Sequence, residues 1–589
     1  MNARIARGLA VAAIAMLAAA PFWAADFTVT LLNYIGIYTL VALGVVLLTG
    51  VGGLTSFGQA AFVGIGAYAT AWLTTVAGAS PWLGLIFALA LTGLVAALLG
   101  AVTLRLSGHY LPLGTIAWGL AIYYLLGNIE ALGGNNGISG IPPISLGSVT
   151  LTSNLALFYL IWATVALAMV LVANLLQSRE GRGIRSLRGG AVMVESLGMS
   201  VFRTRLVTFV IAALLAGLSG WLYAHMSRYV SPAPFDVRMS IEYLFMAILG
   251  GSGHVLGAVV GAAALTMLAN ILQDVLPHLS RNGEQLAAIV FAIVYVLAMQ
   301  FTRGGIMPIV LRYLPRGSKT TETGGAGSLP RRTMPQTGTR LLAVDDLMKR
   351  FGGLEAVSHV GFEIVTGEIL GLIGPNGAGK TTMFNLITGV LESDEGKIVF
   401  LGQDITRAGQ RRIAKLGIAR TFQHVKLRPS MSLIDNVLLG TYVRTRSGFF
   451  ASALRLDRAE EARARAEALA QLKRVGLDFD PHGPAGNLPI GRQRILEVAR
   501  ALAADPVLIV LDEPAAGLSR PEKLALAALL RALRDEGVTV LLVEHDMEFV
   551  MRLVDRVVVM NFGSKLIEGE PATVRADRRV QEAYLGSAA

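Results

Sequence analysis

The chain has 589 residues, of which 53% are hydrophobic and only 15% charged, against about 25% charged in an ordinary soluble domain, so part of it belongs in lipid. It contains no cysteine, which excludes disulfides, cysteine-ligated zinc, iron–sulfur clusters and thiol catalysis. The net charge of +11 does not call for nucleic acid, because many arginines and lysines stand beside hydrophobic runs, where the positive-inside rule and anionic lipid account for them.

Residues 1–315 read as a membrane domain. Apolar runs fall near 5–25, 28–49, 57–77, 81–104, 110–128, 153–177, 205–226, 240–275 and 284–302, and many reach the roughly 20 residues that cross a bilayer as a helix. Met1–Ala25, with Arg4 and Arg7 as its basic end, has the form of a cleaved signal peptide as well as of a retained span. The retained span is preferred, since further spans follow at once. Arg105 follows the fourth run, Arg179, Arg182, Arg185 and Arg188 follow the sixth, and Arg303, Arg312, Arg316 and Lys319 follow the last. These loops are expected to face the cytoplasm and the loop 133–143 to face outside. Beginning and ending inside requires an even number of crossings, so the 240–275 run, broken by Gly250, Gly251, Ser252 and Gly253, should cross twice or re-enter. Gly64, Gly66, Gly217 and Gly220 suit close helix packing, though such positions also line paths. Gln59 and Glu242 are polar groups in or near spans, where a polar group is either functional or bonded to a neighbour or to interfacial water.

Residues 316–340 are rich in Gly, Ser, Thr, Pro and Arg without apolar periodicity and read as a flexible linker. From 341 to 589 the composition is that of an α/β domain. Strands are expected at 342–344, 361–365, 397–400, 507–512 and 538–543, and a solvated, salt-paired helix at 455–475. An apolar strand at 368–373 leads into Gly374, Pro375, Asn376, Gly377, Ala378, Gly379, Lys380, Thr381 and Thr382, and a helix begins behind them. That is the strand–loop–helix pattern whose backbone N–H groups cradle phosphate. Lys380 is placed to reach the β- and γ-phosphates and the Thr381 hydroxyl to ligate Mg²⁺. A second wholly apolar strand ends in Asp512 and Glu513. Asp512 is suited to bind Mg²⁺ directly or through water, and Glu513 to polarise the attacking water as a general base.

These segments, with Gln423 in Arg420-Thr-Phe-Gln423, the 488–502 stretch, Pro514 after Glu513, and Glu544-His545, come in the order of an ABC-transporter ATPase, which the domain resembles. The wording of 349–354, 543–547, 567–571 and 582–586 is similar to the ATPases of branched-chain amino acid uptake systems. The front half resembles a permease subunit of the same systems at 54–62, 195–198, 216–217 and 250–254. The resemblance implies a polytopic α-helical membrane domain followed by an α/β P-loop NTPase domain with a helical signature subdomain. It implies that Phe351 stacks on adenine, that Gln423 contacts Mg²⁺ or the lytic water, and that His545 bonds the γ-phosphate. It further implies that 178–203 is a coupling segment docking into the ATPase. The family signature, Leu-Ser-Gly-Gly-Gln or Leu-Ser-Tyr-Gly-Gln, here reads Leu488, Pro489, Ile490, Gly491, Arg492, Gln493. The serine donor to the partner's nucleotide is missing and proline has no N–H to replace it, while Arg492 adds a positive charge.

The reading is an ATP- and Mg²⁺-dependent importer of branched-chain or related amino acids, a permease–ATPase fusion in the inner membrane with its ATPase in the cytoplasm. Expected partners are a second permease and a second ATPase subunit, or a second copy, with a periplasmic binding protein delivering the amino acid. The same architecture carrying urea, short amides or aromatic acids, and a membrane-tethered ATP-binding regulator without transport, are the alternatives.

Overall fold

The apolar runs of the front half become long helices because lipid demands that every backbone group be satisfied internally, with a π-helical turn at Val46–Val51 and a break at Ser252–His254. In the computed structural model, which describes residues 15–105, 110–279, 283–301, 304–313 and 327–585, six helices are long and apolar enough to cross a membrane. They are Asp26–Val51, Pro81–Thr103, Tyr110–Asn128, Asn154–Gln177, Val201–Ser227 and Val255–Val275. Contacts divide the chain into one unit of Met1–Gln177 with Phe202–Thr320 and another of Ser178–Val201 with Thr321–Ala589.

Within the first unit the helix from Asp26 is central, 78% buried over its apolar window, whereas Pro81–Thr103 and Tyr110–Asn128 are 22% buried and turn Leu94, Leu98, Leu113 and Tyr124 outward. Gln59–Thr75 packs closely on Val201–Ser227. A Cβ on Gly66 would lie 2.3 Å from the Gly217 carbonyl oxygen and one on Gly220 2.1 Å from that of Val63. Close packing is therefore the role of these glycines. The 240–275 run forms two helices, Val237–Gly251 and Val255–Leu279, parted at Ser252–His254. Glu242 is bonded to Arg238 at 3.2 Å and half-open to water. Gln59 is fully buried, and among the described residues neither its amide oxygen nor its amide nitrogen has a hydrogen-bond partner. Arg4, Arg7, Arg303, Arg316 and Lys319 lie outside the described residues.

The second unit is built on two sheets. The larger has the strand order Ile418–Arg420, Leu508–Asp512, Thr539–Val543, Ile369–Ile373, Arg556–Asn561, Ser564–Gly569. Its first five strands are parallel and the last is antiparallel. The central three are buried along their whole length, which is why they read as continuous apolar runs rather than alternating ones. The smaller, antiparallel sheet pairs Leu354–Val365, Arg340–Phe351, Glu395–Phe400 and Gln403–Asp404.

Two expectations are corrected here. The helix at 455–475 begins at Arg458 and is not simply solvated: Ala464, Ala468 and Leu472 are buried, and buried Glu467 pairs with Arg444 at 3.4 Å. Glu461 and Arg474 likewise pair with other elements, through Arg182 and Glu536. The second half of the 316–340 stretch is not a free coil. Leu329 is buried in the cluster of Leu427, Leu433 and Leu477, the Arg332 amide donates to Asp505 Oδ2 at 2.5 Å, and its guanidinium donates to the Lys415 carbonyl at 2.7 Å. Sparse apolar residues hid this docking in the composition. Residues 316–326 lie outside the described residues.

Candidate functional site

Strand Ile369–Ile373 ends at Gly374, whose φ of +154° comes with a close approach: a Cβ there would meet the Met560 carbonyl oxygen at 2.2 Å. The loop turns back through Gly377 and Gly379 and enters helix Lys380–Ile387, with left-handed Gly379 (φ +95°) as its N-cap. The sequence 374–382 thus forms the expected cradle, with the N–H groups of the first helical turn at its mouth. The Lys380 ammonium donates to the carbonyls of Gly374 at 2.7 Å and Pro375 at 2.9 Å. Burial lowers its pKa, against the raising effect of Glu513 and Asp512.

Parallel pairing sets Asp512 opposite Val543, so the residues that follow, Glu513 and Glu544-His545, come out of the sheet side by side. Asp512 is 5% exposed, and burial first, then the charge of Glu513, pushes its carboxyl up to about 6. Among the described residues no hydrogen bond or ion pair to that carboxylate is formed. A buried carboxylate beside Glu513, with Lys380 and Arg420 as the cations that act on it, has free oxygen ligands for a hard cation, so Asp512 fits Mg²⁺. Glu513 has φ +48°, a sparsely occupied conformation for a side chain of its size. It is held there by its N–H, which donates to Val543 O at 2.8 Å, and by its carbonyl, which accepts from Arg494 Nη1 at 2.6 Å. Gln423 Nε2 donates to Glu513 Oε1 at 3.2 Å, and His545 Nδ1 stands 3.9 Å from the same oxygen. The structure therefore brings together the P-loop, Asp512, Glu513, Gln423 and His545. Phe351 sits at the end of its strand, half-exposed, with Lys349 Nζ 5.7 Å from the ring centre.

The segment Ser178–Val201 packs into the same unit. Arg182 forms a two-pronged pair with Glu461 at 2.8 and 2.9 Å, its side chain 3% exposed. Arg179 lies 3.5 Å over the Tyr442 ring and donates to the carbonyls of Tyr442 and Ser447. Leu187, Met193, Val194, Leu197 and Met199 share a buried cluster with Phe422, the neighbour of Gln423.

Residues 27–306 match the family described as the branched-chain amino acid transport system permease component, residues 357–516 the ABC transporter family, and residues 565–589 the branched-chain amino acid ATP-binding cassette transporter family. The high-affinity branched-chain amino acid transport ATP-binding protein LivG of Escherichia coli (strain K12) is 42% identical over 251 residues, 42% of this chain and 98% of its own. BraF of Pseudomonas aeruginosa, with the same description, is 41% identical over the same shares. This chain belongs to the branched-chain amino acid ABC transporters. A nucleotide-free ATP-binding cassette from an ABC transporter, of known structure, is 30% identical over 42% of this chain and all of its own, with a TM-score of 0.38. The transporter is a permease fused to an ATPase, a membrane protein that hydrolyses ATP coupled to transport.

In this transporter's cassette the signature segment caps a helix. Pro489 is the N-cap of Ile490–Leu502, Gln493 Nε2 donates to Leu488 O at 2.8 Å, and Gly491 is buried where a Cβ would meet Leu518 at 3.0 Å. Arg492 is exposed over the Phe479 ring at 5.3 Å. Arg420 carries a role that its sequence pattern does not show. Its guanidinium lies between Phe384 (4.4 Å) and Phe422 (4.8 Å), donates to Thr388 Oγ1 at 2.7 Å, and offsets part of the rise at Asp512. Burial lowers its own pKa to about 10. Glu544, 1% exposed, was also missed: it accepts from the N–H groups of Ala515 and His545 and so ties the two loops of the site together. An acidic residue directly after a buried strand, beside Asp512 and Glu513, was the available signal.

Proposed function

We propose that the transporter imports branched-chain amino acids, with its cassette in the cytoplasm. In this reading the 374–382 loop holds the ATP phosphates, Lys380 neutralises the β- and γ-phosphates, and Thr381, Asp512 and Gln423 hold Mg²⁺. The metal would supply charge neutralisation on the phosphates. Glu513 takes the proton of the attacking water, His545 bonds the γ-phosphate, and Phe351 stacks on adenine. Leu488, Pro489, Ile490, Gly491, Arg492 and Gln493 close over the nucleotide of a second cassette. A second permease completes the membrane domain, and a periplasmic binding protein supplies the amino acid.

The observation that carries the reading is the run from Ser178–Val201 through Phe422 to Gln423 and its bond to Glu513. It ties a segment covalently continuous with apolar helices to the carboxylate placed for hydrolysis. The experiment is uptake into proteoliposomes holding this chain, a second permease, a second cassette and candidate binding proteins. Leucine, isoleucine and valine should accumulate with ATP and cease to do so with Glu513→Gln. Accumulation of urea or short amides in their place would overturn the cargo, and accumulation without ATP hydrolysis would overturn the mechanism.

A further inference from the structure

Between the coupling contacts and helix Arg458–Arg474 the cassette carries a small projection whose apolar side chains point out of the fold. Phe450 is 89% exposed, Leu454 60% and Leu456 75%, three large apolar groups within seven residues. The projection is built from within. Ser452 is buried and its hydroxyl donates to Asp457 Oδ2 at 3.0 Å, the Leu456 amide donates to the Ala451 carbonyl at 2.9 Å, and Arg455 is held at φ +56° to reverse the chain. A side chain kept in that conformation marks a fixed turn rather than a fraying one.

Charge on the projection has one outward sign. Arg446, Arg455 and Arg458 are exposed around the apolar tip. The acidic groups are turned inward: Asp457 to Ser452, Glu460 to the N–H groups of Arg446 and Ser447, Glu461 to Arg182. An apolar tip ringed by arginines matches the boundary of an anionic lipid leaflet, where acyl chains lie under negative headgroups.

Chain connectivity links the projection to the end of an apolar helix. The apolar helix Asn154–Gln177 ends two residues before Arg179, at most about 7 Å along the backbone. Arg179 donates to the Ser447 carbonyl at 3.0 Å and Arg182 holds Glu461, so both ends of the projection are fastened to the first residues beyond that helix. Interfacial apolar groups enter a leaflet by about 5–10 Å, a depth within reach from such an anchor.

We propose that Phe450, Leu454 and Leu456, with Arg446, Arg455 and Arg458, insert into the headgroup boundary of the anionic cytoplasmic leaflet and anchor the cassette there. This rests on the reading that Asn154–Gln177 crosses the membrane. The absence of native cysteine allows a single labelled site without background. Three variants of the full chain, Phe450→Cys, Leu167→Cys within the helix and Phe562→Cys at an exposed turn of the cassette, each carry an environment-sensitive fluorophore in nanodiscs containing brominated phosphatidylglycerol. The expected result is quenching at positions 450 and 167, none at 562, and a loss of quenching at 450 when phosphatidylcholine of equal bromination replaces the anionic lipid. Quenching at 167 with none at 450 overturns the proposal, including the case in which a protein surface covers the tip. Equal quenching at 450 in both lipids overturns its anionic part, and no quenching at 167 overturns the spanning reading beneath it.

Discussion

In the proposed mechanism the chemistry turns on Glu513, whose backbone is fixed at both its N–H and its carbonyl while its carboxylate is shared with Gln423 and faces His545. Lys380 belongs instead to phosphate contact. The two roles separate under mutation. Lys380→Ala should weaken equilibrium ATP binding, whereas Glu513→Gln should leave binding intact and lower phosphate release by roughly 10²–10⁴-fold, the usual worth of a positioned base. Near-normal turnover in Glu513→Gln would remove it from that role. Asp512 adds a pH dependence with a defined sign. Its folded value is raised by burial, to about 6 from the ordinary 3.8 of an aspartate. The folded chain therefore holds the proton more tightly than the unfolded one. The stabilising contribution is full below the unfolded value and is lost as pH rises through about 6. Cation binding runs the other way, since only the carboxylate ligates. Apparent Mg²⁺ affinity at the ATP site should fall about tenfold for each pH unit below 6. Asp512→Asn should bind Mg²⁺ weakly at every pH and flatten that slope. A wild-type titration flat between pH 5 and 7 would contradict the assignment.

At the scale of elements, Ser178–Val201 is held within the cassette unit by buried charge. The Arg182–Glu461 pair is nearly out of water, with side chains 3% and 15% exposed, so removing one partner strands the other charge at a cost of about 3–5 kcal/mol. Glu461→Ala should therefore loosen Ser178–Val201 without touching the nucleotide. ATP affinity should hold while amino acid taken up per phosphate released drops. Uptake and phosphate release measured on the same proteoliposomes decide it, and an unchanged ratio would deny the pair its coupling role. None of this pair could be read from sequence, because its members are 279 positions apart and each has nearer charges with which to be matched. The same limit hid Arg420, whose partners Phe384, Thr388 and Phe422 come from two segments with no shared pattern. The P-loop and the Asp512 strand were legible for the opposite reason. Phosphate binding needs glycines at fixed spacing behind a buried strand, and a five-residue strand buried on both faces leaves an unbroken apolar run. The break in 240–275 was legible because adjacent small residues allow the two helices to touch, as the 1.8 Å approach of a Gly261 Cβ to Met246 O makes plain.

Taken as a whole molecule, one chain supplies one set of the proposed catalytic groups and one altered signature, and ABC cassettes typically act in pairs. Paired with a different cassette, the transporter would form two unequal sites. One joins this chain's Lys380, Asp512, Glu513 and His545 to the partner's signature. The other joins the partner's catalytic groups to Leu488–Gln493, where Pro489 caps the helix with no hydroxyl and no N–H to offer. A hydrogen bond to a charged oxygen is worth about 1.5–3 kcal/mol, or roughly tenfold to a hundredfold in rate if it is expressed fully in the transition state. Arg492, exposed at the same helix start, can return part of that through charge, so the second site should be slower rather than dead. Hydrolysis should then depend more on Glu513 of this chain than on the partner's equivalent carboxylate. Proline also favours the first turn of a helix, but Pro489 stands just before it, with ψ of 151°, a conformation that serine caps equally well. Pro489→Ser should therefore raise turnover at the partner's site, by up to roughly tenfold to a hundredfold less what Arg492 already returns, and leave this chain's own site unchanged. The measurement is phosphate release from the assembled complex with each catalytic carboxylate disabled in turn, with and without Pro489→Ser. A larger loss on disabling the partner's carboxylate, or no response to Pro489→Ser in either background, would show that the two sites are equal.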